Sequence, residues 1–314
     1  MTDRRHAPED LHRFAVQILT AAGVDAASAE GTARALMHAS LHGVDSHGIR
    51  LLPFYIRCLD AALVRPRPQL RLTKLRAAAA MVDADGGLGH YPSYRAMETA
   101  CELAAEAGIG MVAVVNSTHF GAAGAYAMAA VDRGYMGLVV ANSGALVAPF
   151  GGRQPVHGTN PIAFAAPAAG RDPLLLDMAT SAIPWNGVLL ARALGRELPE
   201  DTALTAAGEY TRDATKAMML APLGGRQFGY KGAGLAGMVE ILSGALTGMR
   251  LGFELDGTAL GDTDLGHLFI AIDPDLFAPS AEVAERGAQY CAKLDGMSEG
   301  RRTVQPAGGP QWAA

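Results

Sequence analysis

Residues 111–142 read MVAVVNSTHFGAAGAYAMAAVDRGYMGLVVAN, and this stretch decides the fold. Two apolar runs rich in β-branched residues, MVAVVN (111–116) and MGLVVAN (136–142), flank a helical pattern rich in glycine and alanine at 121–134. A strand, a helix and a second strand in this order predict an α/β layer.

The same alternation extends along the chain in both directions. Before the central stretch, residues 77–84 predict a buried strand and residues 91–108 predict a helix. After it, strands are predicted at 162–167 and 174–178, and a further helix at 231–248. The middle of the chain is therefore predicted to form one sheet covered by helices.

The beginning of the chain has a helical pattern instead. Residues 8–22 carry apolar side chains at helical spacing and end at Gly23. A second helix is predicted from 26 to 42 with Asp25 as its N-cap, and a third from 53 to 63 with proline in its first turn. The fold class is therefore α/β with a helical N-terminal part.

The change in pattern near residue 75 predicts two parts. Residues 1–74 form a helical region expected to pack with the C-terminal part, 275–314, and residues 75–274 form the α/β core. Within that core, residues 190–216 are polar and are predicted to be a surface excursion.

Composition excludes several classes of protein. The chain has 314 residues, half of them apolar, and 26 basic residues against 31 acidic ones without a long run of either sign. This balance argues against disorder and against a nucleic-acid-binding surface. The three cysteines, Cys58, Cys101 and Cys291, are widely separated, so neither a disulfide framework nor a zinc site is indicated. With no apolar leader or membrane-spanning run in the sequence, a soluble cytoplasmic protein is expected.

The usual nucleotide-binding motifs are missing from the sequence. The segment GIGMVA (108–113) resembles a dinucleotide fingerprint, but its glycines precede a strand and cannot open a helix towards a pyrophosphate. Neither a phosphate-binding P-loop motif nor an HExxH zinc motif occurs, and no metal is predicted.

Polar segments embedded in apolar sequence are the candidate sites, and each has a plain alternative. In VDSHG (44–48), His47 could act as a general acid or base with Asp45 or Ser46 fixing its tautomer, or the segment could be a capped turn. NSTHFG (116–121) lies where a strand ends and a helix begins, which is typical of a ligand site and also of an ordinary turn.

Three later segments have the same ambiguity. The loop 151–161 could face a ligand or bond only to itself, and residues 177–181 could hold ribose or cap a helix. The lysine among glycines at 222–232 is compatible with an anion cradle and with a solvated helix end.

The order of these segments resembles one family. VDSHGI, NSTHFGAAGAYA, GGRQPVHGTNPIAFAAP, LLLDMATS and PLGG followed by YKGAGLAGMVEILSGALTG are similar to motifs of the type 2 malate/L-lactate dehydrogenases. These are NAD(P)-dependent oxidoreductases without a Rossmann fold. The resemblance spans roughly residues 8 to 280 and is specific for the family more than for a substrate.

The resemblance implies a homodimer in which a helical N-terminal part packs with a mixed-sheet, cofactor-binding core, and an active site near the subunit interface. It implies hydride transfer between NAD or NADP and a small 2-oxo acid or its 2-hydroxy acid. Reduction of a cyclic 2-imino carboxylate is an alternative within the same chemistry. A cofactor-binding protein that has lost catalysis is an alternative of another class.

The resemblance also assigns residues to roles. His47 would be the acid or base with Ser46 beside it, and His119 is its rival or a substrate ligand. Substrate contacts are expected from Arg50, Asn116, Arg153 and Trp185. The expected cofactor-binding residues are Gly121, Thr159, Asn160, Asp177, Met178, Ala179, Thr180, Ser181, Tyr230, Lys231 and Gly232.

Three departures from the family pattern concern the substrate and the cofactor. The family's carboxylate-binding arginine lies four residues after the histidine, whereas here Arg50 lies three after it and Leu51 takes the fourth place, which makes Arg153 a second candidate. Trp185 either shapes a larger pocket or packs in the core. The C-terminal PGER-like segment is altered at residues 304–308, so contacts from it to the cofactor are not expected.

Overall fold

The computed structural model describes residues 6–255 and 262–295. Its helices are α1 (Pro8–Ala21), α2 (Ala26–Leu41), α3 (Leu52–Asp60), α4 (His90–Ala107), α5 (Gly124–Val131), α6 (Trp185–Leu194), α7 (Gly225–Val239) and α8 (Ser280–Asp295). Its strands are β1 (Arg71–Arg76), β2 (Ala79–Asp83), β3 (Ile109–Ser117), β4 (Met136–Ala141), β5 (Ile162–Ala166), β6 (Leu174–Met178), β7 (Ala203–Leu204), β8 (Tyr210–Thr211), β9 (Met219–Leu220) and β10 (Leu265–Ile272).

The main sheet has seven strands in the order β1-β2-β3-β10-β4-β5-β6. β2 and β3 pair in parallel, and every other neighbouring pair in this sheet is antiparallel. The predicted mixed-sheet α/β core is therefore confirmed.

β10 is the main element that the sequence analysis missed. It comes from residues 265–272 and lies between β3 and β4, pairing with both. β1 was also missed: its side chains are exposed along its whole length, so the strand has no buried face to give an apolar alternation.

Helices α4 and α5 pack closely on the sheet because both sides of the contact are small residues. A Cβ on Gly110 of β3 would lie 2.0 Å from the Ala100 carbonyl oxygen of α4. A Cβ on Gly137 of β4 would lie 2.6 Å from the Ala127 carbonyl oxygen of α5. The excess of glycine in the sequence therefore permits this helix–sheet approach.

The predicted N-terminal helices are present, although α3 ends at Asp60 and not near residue 63. The Asp25 carboxylate accepts the backbone N–H groups of Ala27 and Ser28 at the start of α2, as predicted for an N-cap. Leu19, Leu36 and Tyr55 belong to a separate buried cluster formed by these helices.

The predicted helix at 231–248 begins earlier and changes geometry. α7 starts at Gly225, and after Val239 the backbone continues as a π-helical turn over Glu240–Ala245. The predicted surface excursion, 190–216, contains β7 and β8, which form a second sheet with β9 just beyond it in the order β8-β7-β9. A separate buried cluster beside this sheet includes Val147, Val188 and Leu198.

The predicted division of the chain stays a prediction, with its boundary at 74/75 falling inside β1. α8 contacts the turn between β5 and β6, where the Ala169 N–H donates to the Ala284 carbonyl and Arg171 pairs with Asp295. These contacts join the described C-terminal part to the core sheet. Within the described ranges, no helix is long and apolar enough to cross a membrane. All three cysteines are buried, and none of them forms a disulfide within the described residues.

Candidate active site

His47 lies on a short 3₁₀ turn, Asp45–His47, between α2 and α3. Close packing on α2 holds the turn: a Cβ on Gly48 would lie 2.3 Å from the Ser40 hydroxyl, which accepts the Ile49 N–H. The Ser46 hydroxyl lies 2.9 Å from His47 Nδ1. This contact is the Ser46–His47 pair that the sequence predicted.

Asn186 was not predicted for the site. Its side-chain amide donates to the Ser46 carbonyl oxygen at 3.1 Å, so the start of α6 contacts the histidine turn from a point 140 residues further along the chain. The signal available in the sequence was the AIPWNGV segment itself, but nothing local shows which of its residues faces the turn.

His119 follows β3 and stacks against His47, with ring centroids 5.8 Å apart and an interplanar angle of 21°. Its Nδ1 atom is 2.8 Å from the hydroxyl of Tyr55, which the sequence analysis also missed. Both histidines retain partial exposure. The two predicted proton-transfer candidates therefore share one accessible site.

Burial keeps both rings neutral near neutral pH. It lowers the pKa of His47 below its usual value. It lowers the pKa of His119 to about 3, to which the neighbouring His47 also contributes. Burial raises the pKa of the Tyr55 phenol, which therefore keeps its proton and can donate to His119 Nδ1. His47 is the easier of the two histidines to protonate.

A second pair of histidines lies nearby but is fully buried. His90 Nδ1 is 3.3 Å from the Thr32 hydroxyl, and His267 Nε2 is 2.9 Å from the Ser117 hydroxyl. Burial lowers the pKa of both. These rings join elements of the core and have no exposed surface for a ligand.

Two of the predicted site residues, at the end of β3 and just after it, have positive φ angles. Asn116 has a left-handed conformation (φ 51°), and its side-chain amide donates to Asp83 Oδ1 at 2.9 Å. Gly121 has φ 78°, and a Cβ there would lie 3.4 Å from His90 Nε2. The described contacts of Asn116 therefore point to β2 and not to the histidines.

Three of the predicted cofactor segments meet through a chain of backbone hydrogen bonds. The Thr180 N–H donates to the Thr159 carbonyl, the Leu223 N–H to the Thr180 carbonyl, and the Gly232 N–H to the Leu223 carbonyl. The Thr180 hydroxyl also donates to the Thr159 carbonyl, and Ser181 bridges to Pro222. Segments as far apart in the sequence as residues 159 and 232 thus form one continuous edge of the structure. The role of this edge in cofactor binding stays a prediction.

Asn160 and Asp177 are engaged within the protein at this edge. The buried Asn160 amide donates to Glu240 Oε1 at 2.9 Å, and its Oδ1 has no hydrogen-bond partner in the described part of the chain. Asp177 accepts the Gly124 N–H at the start of α5. Burial raises the pKa of Asp177 to about 6. Met178 and Ala179, beside Asp177, are half-buried.

Lys231 is the cation available at the same edge. It is exposed and forms no ion pair within the described residues, and its ammonium lies 5.3 Å from the ring centre of Phe228 and 5.9 Å from that of Tyr230. Beside it, a Cβ on Gly232 would lie 2.4 Å from the Leu223 backbone nitrogen. An unpaired ammonium next to aromatic rings fits a phosphate-bearing, planar group such as a nicotinamide dinucleotide.

The predicted substrate residues are not all together. Arg50 is exposed on the 3₁₀ turn Ile49–Leu51, directly after the His47 turn. Arg153 packs under Gly208 in the surface excursion, where a Cβ on the glycine would lie 2.7 Å from the arginine side chain. Trp185 packs against the buried cluster beside the second sheet, which favours the core-packing alternative. The altered segment at 304–308 lies outside the described residues.

The groups gathered at this site are able to transfer a proton. Two neutral imidazoles, a serine hydroxyl and a phenol converge at one accessible point. No group of three or more histidine, cysteine or acidic side chains in the described ranges could hold a metal ion.

Comparison with known proteins places the chain among oxidoreductases. Residues 6–314 match the family model described as malate/L-lactate dehydrogenase. The malate dehydrogenase of Pyrococcus abyssi is 39% identical over 292 residues, which cover 91% of this chain and 80% of that protein. The (2R)-3-sulfolactate dehydrogenase (NADP(+)) of Chromohalobacter salexigens is 39% identical over 277 residues, covering 86% and 81%.

A solved structure extends the comparison to the fold. The Δ1-piperideine-2-carboxylate reductase of Pseudomonas syringae pvar. tomato superposes with a TM-score of 0.90 at 31% sequence identity, covering 99% of this chain and 92% of that one. The non-Rossmann fold expected from the motifs is confirmed.

Proposed function

Because the chain belongs to the malate/L-lactate dehydrogenase family and is an oxidoreductase that uses a nicotinamide cofactor, we propose that it interconverts a small 2-oxo acid and its 2-hydroxy acid at the His47–His119 site. The observation that carries this proposal is the stacked pair of accessible histidines, each with a hydroxyl group on its Nδ1. Chemistry of this type needs one proton-transferring group beside the reacting carbon.

His47 is the proton-transferring residue in this proposal. In the neutral ring the Nδ1–H can donate to the Ser46 hydroxyl oxygen, which leaves the lone pair of Nε2 free to take the proton from the substrate oxygen. In the oxidation direction neutral His47 takes the hydroxyl proton, and in the reduction direction protonated His47 returns it. The lowered pKa of His47 favours the base form near neutral pH.

His119 stays neutral in this proposal and orients the substrate. A Tyr55 hydroxyl that donates to His119 Nδ1 leaves the proton of that ring on Nε2, where it can donate to the substrate oxygen. The low pKa of His119, about 3, prevents it from competing with His47 for the transferred proton. The two histidines thus divide proton transfer and orientation.

The nicotinamide dinucleotide would be held at the edge formed by Thr159, Thr180, Ser181 and Lys231. Lys231 would bind its phosphates, and Tyr230 would offer an aromatic face. When bound, the cofactor supplies or accepts the hydride. Asn160, Asp177 and Gly232 would shape this edge through the contacts that they make within the protein.

Arg50 is the preferred group for the substrate carboxylate. It is exposed and directly follows the His47 turn, whereas Arg153 packs under Gly208. Replacing Arg50 by leucine should raise KM for carboxylated substrates with a smaller effect on kcat, since a guanidinium–carboxylate contact is made in the ground state as well. Unchanged KM would move the carboxylate site elsewhere.

We also propose a homodimer. α7, the π-helical turn and the residue after it expose several large apolar side chains, among them Phe228, Met238, Ile241 and Leu246. An apolar stripe of this kind is typical of a surface covered by another subunit. Light scattering of the purified protein should give twice the mass of one chain, and a monomer would contradict the proposal.

A panel assay tests the function directly. Purified protein is mixed with NADH or NADPH and with pyruvate, oxaloacetate, 2-oxobutanoate or a cyclic 2-imino carboxylate, and the absorbance of the reduced nicotinamide is followed. Turnover of a 2-oxo acid supports the proposal. Turnover of the imino acid alone would instead support the second candidate, which the fold match to a piperideine-2-carboxylate reductase favours. Cofactor binding without any turnover would indicate a catalytically diverged protein.

A further inference from the structure

A short connector, residues 180–186, joins the predicted cofactor edge to the histidine turn. At its start, the Thr180 N–H donates to the Thr159 carbonyl at 2.8 Å. Two residues later, the Ala182 N–H donates to the Ala221 carbonyl at 2.9 Å. The first half of the connector is therefore part of the same hydrogen-bonded edge.

The other end of the connector is anchored in α6. Ile183 and Trp185 pack against the buried cluster that includes Val188, a residue of α6 itself. Asn186 is the second residue of this helix. Because both ends of the connector are held, Asn186 has a fixed position relative to the cofactor edge.

Asn186 contacts the peptide bond that directly precedes His47. Its side-chain amide donates at 3.1 Å to the Ser46 carbonyl oxygen. The N–H of the same peptide unit, which belongs to His47, donates to the Val44 carbonyl at 2.9 Å. Since a peptide unit is planar, this one cannot rotate without breaking one of the two hydrogen bonds. The pair of bonds therefore fixes the backbone from which the His47 ring extends.

The ends of the histidine turn are held by α2 instead. The Val44 N–H donates to the Ala39 carbonyl. The Ser40 hydroxyl accepts the Ile49 N–H on the other side of the turn. α2 thus attaches the turn to the N-terminal helices, whereas Asn186 attaches it to the part of the chain that forms the cofactor edge.

We infer that Asn186 is a positioning residue that holds His47 in register with the bound nicotinamide. This inference rests on the function proposed above. The hydride and the proton are exchanged with neighbouring carbon and oxygen atoms of the substrate, so the His47 ring must lie within hydrogen-bond reach of that oxygen while the cofactor faces the carbon. Asn186 acts on this geometry through the Ser46 peptide, which gives the unusual AIPWNGV segment a function.

Two substitutions separate the hydrogen bond from the size of the side chain. Asn186→Asp keeps nearly the same shape but places an acceptor against the Ser46 carbonyl oxygen, and Asn186→Ala removes the group. With the best 2-oxo acid near neutral pH, kcat should fall about tenfold in both variants, while KM for the acid and for the reduced nicotinamide stays within about threefold of native. Native kcat in Asn186→Asp, shown to be folded by circular dichroism, would overturn the inference.

Arg192→Ala is the matched control at the other end of α6. The Arg192 guanidinium donates to the Ala214 and Ala217 carbonyls, so its loss weakens the attachment of the helix and leaves the Asn186 contact in place. This variant should have a lower thermal midpoint and a kcat within about twofold of native. An equal fall of kcat in Arg192→Ala and Asn186→Ala would mean that Asn186 only stabilises α6, and the inference would be wrong.

Hydrogen–deuterium exchange tests the position of the turn without turnover. Loss of the Asn186 hydrogen bond should speed exchange of the His47 amide by about three- to tenfold, because that amide shares a peptide unit with the Ser46 carbonyl. The Thr180 and Ala182 amides should exchange at the native rate. Unchanged exchange at His47 in both folded variants would refute the positioning role. Failure of every 2-oxo acid to react with the native enzyme would instead contradict the proposed function.

Discussion

The accessible histidine pair, His47 and His119, and the sealed pair, His90 and His267, are connected through the ring of Tyr55. The Tyr55 ring contacts both His119 and His90, at centroid distances of 5.9 and 4.7 Å. The Phe120 ring stacks on His267 at 4.5 Å. Burial lowers the pKa of all four histidines. A lowered pKa therefore does not distinguish a catalytic histidine from a structural one in this protein, whereas exposure to a ligand does.

The largest effect should come from the accessible pair. His47→Asn keeps a polar side chain but cannot carry the proton, so kcat should fall by about 10²–10⁴. Steady-state kinetics measures it, and thermal unfolding should show little change. His12→Asn, at a partly exposed histidine beside Glu30, is the control and should match the native enzyme. Near-normal turnover of His47→Asn would transfer the role to His119 or to solvent.

Replacing a histidine of the sealed pair should lower stability and leave kcat close to native. His267→Ala removes the stacking on Phe120 and leaves the Ser117 hydroxyl without its partner, so the free energy of unfolding should fall by about 2–4 kcal/mol. Chemical denaturation measures this loss. The kcat of the folded fraction should stay close to native. A fall in kcat comparable to that of His47→Asn would mean that the sealed pair takes part in the chemistry.

Acid should destabilise the protein through the same groups. The folded-state pKa of His267 is about 4, below the 6.5 of an unfolded histidine. The unfolded chain therefore binds more protons below pH 6.5, and stability falls as the pH falls from 6.5 towards 4. Each such histidine should cost about 1 kcal/mol between pH 6.5 and 5.5. Chemical denaturation at several pH values gives the slope of the unfolding free energy against pH. This slope should be smaller in His267→Gln than in the native protein. An identical slope in that variant would contradict the assignment.

Tyr55 lies between the pairs and should give the smallest effect. Tyr55→Phe keeps the ring and removes the hydrogen bond to His119, so kcat/KM should fall by about 2- to 12-fold, the equivalent of about 0.5–1.5 kcal/mol. The pH profile of kcat/KM should change shape, because the tautomer of His119 is no longer fixed. A variant that is less stable but has native kinetics would show that the hydroxyl has only a structural role.

Much of the fold could be predicted from local patterns. The N-cap of α2 and the strands β3 to β6 follow from rules that act within a few residues. β10 was missed although LGHLFIAI is an apolar run, because the pattern does not state that its partners lie more than 120 residues earlier. The exposed strand β1 depends on tertiary pairing in the same way.

The sequence predicted the part of the site in which the interacting residues are adjacent in the chain. Ser46 and His47 are adjacent in the sequence, and their contact follows from that adjacency. Tyr55 and Asn186 could not be found in this way, because each reaches its partner through the packing of separate elements, across 64 and 140 residues. The segment 177–181 is the opposite case. It was recognised as a candidate cofactor site, but the Asp177 carboxylate accepts the Gly124 N–H at the start of α5.

The central position of β10 also determines when the main sheet can be completed during synthesis. During synthesis, β1–β3 and β4–β6 emerge first, but the strand that joins them through hydrogen bonds on both sides is supplied by residues 265–272. Until those residues leave the ribosome, β3 and β4 each carry an unpaired edge. Sheets closed by such distant contacts fold slowly and expose those edges to aggregation on the way. His267 arrives on the same strand, so the buried histidine that seals the core is also among the last parts of the sheet to be made.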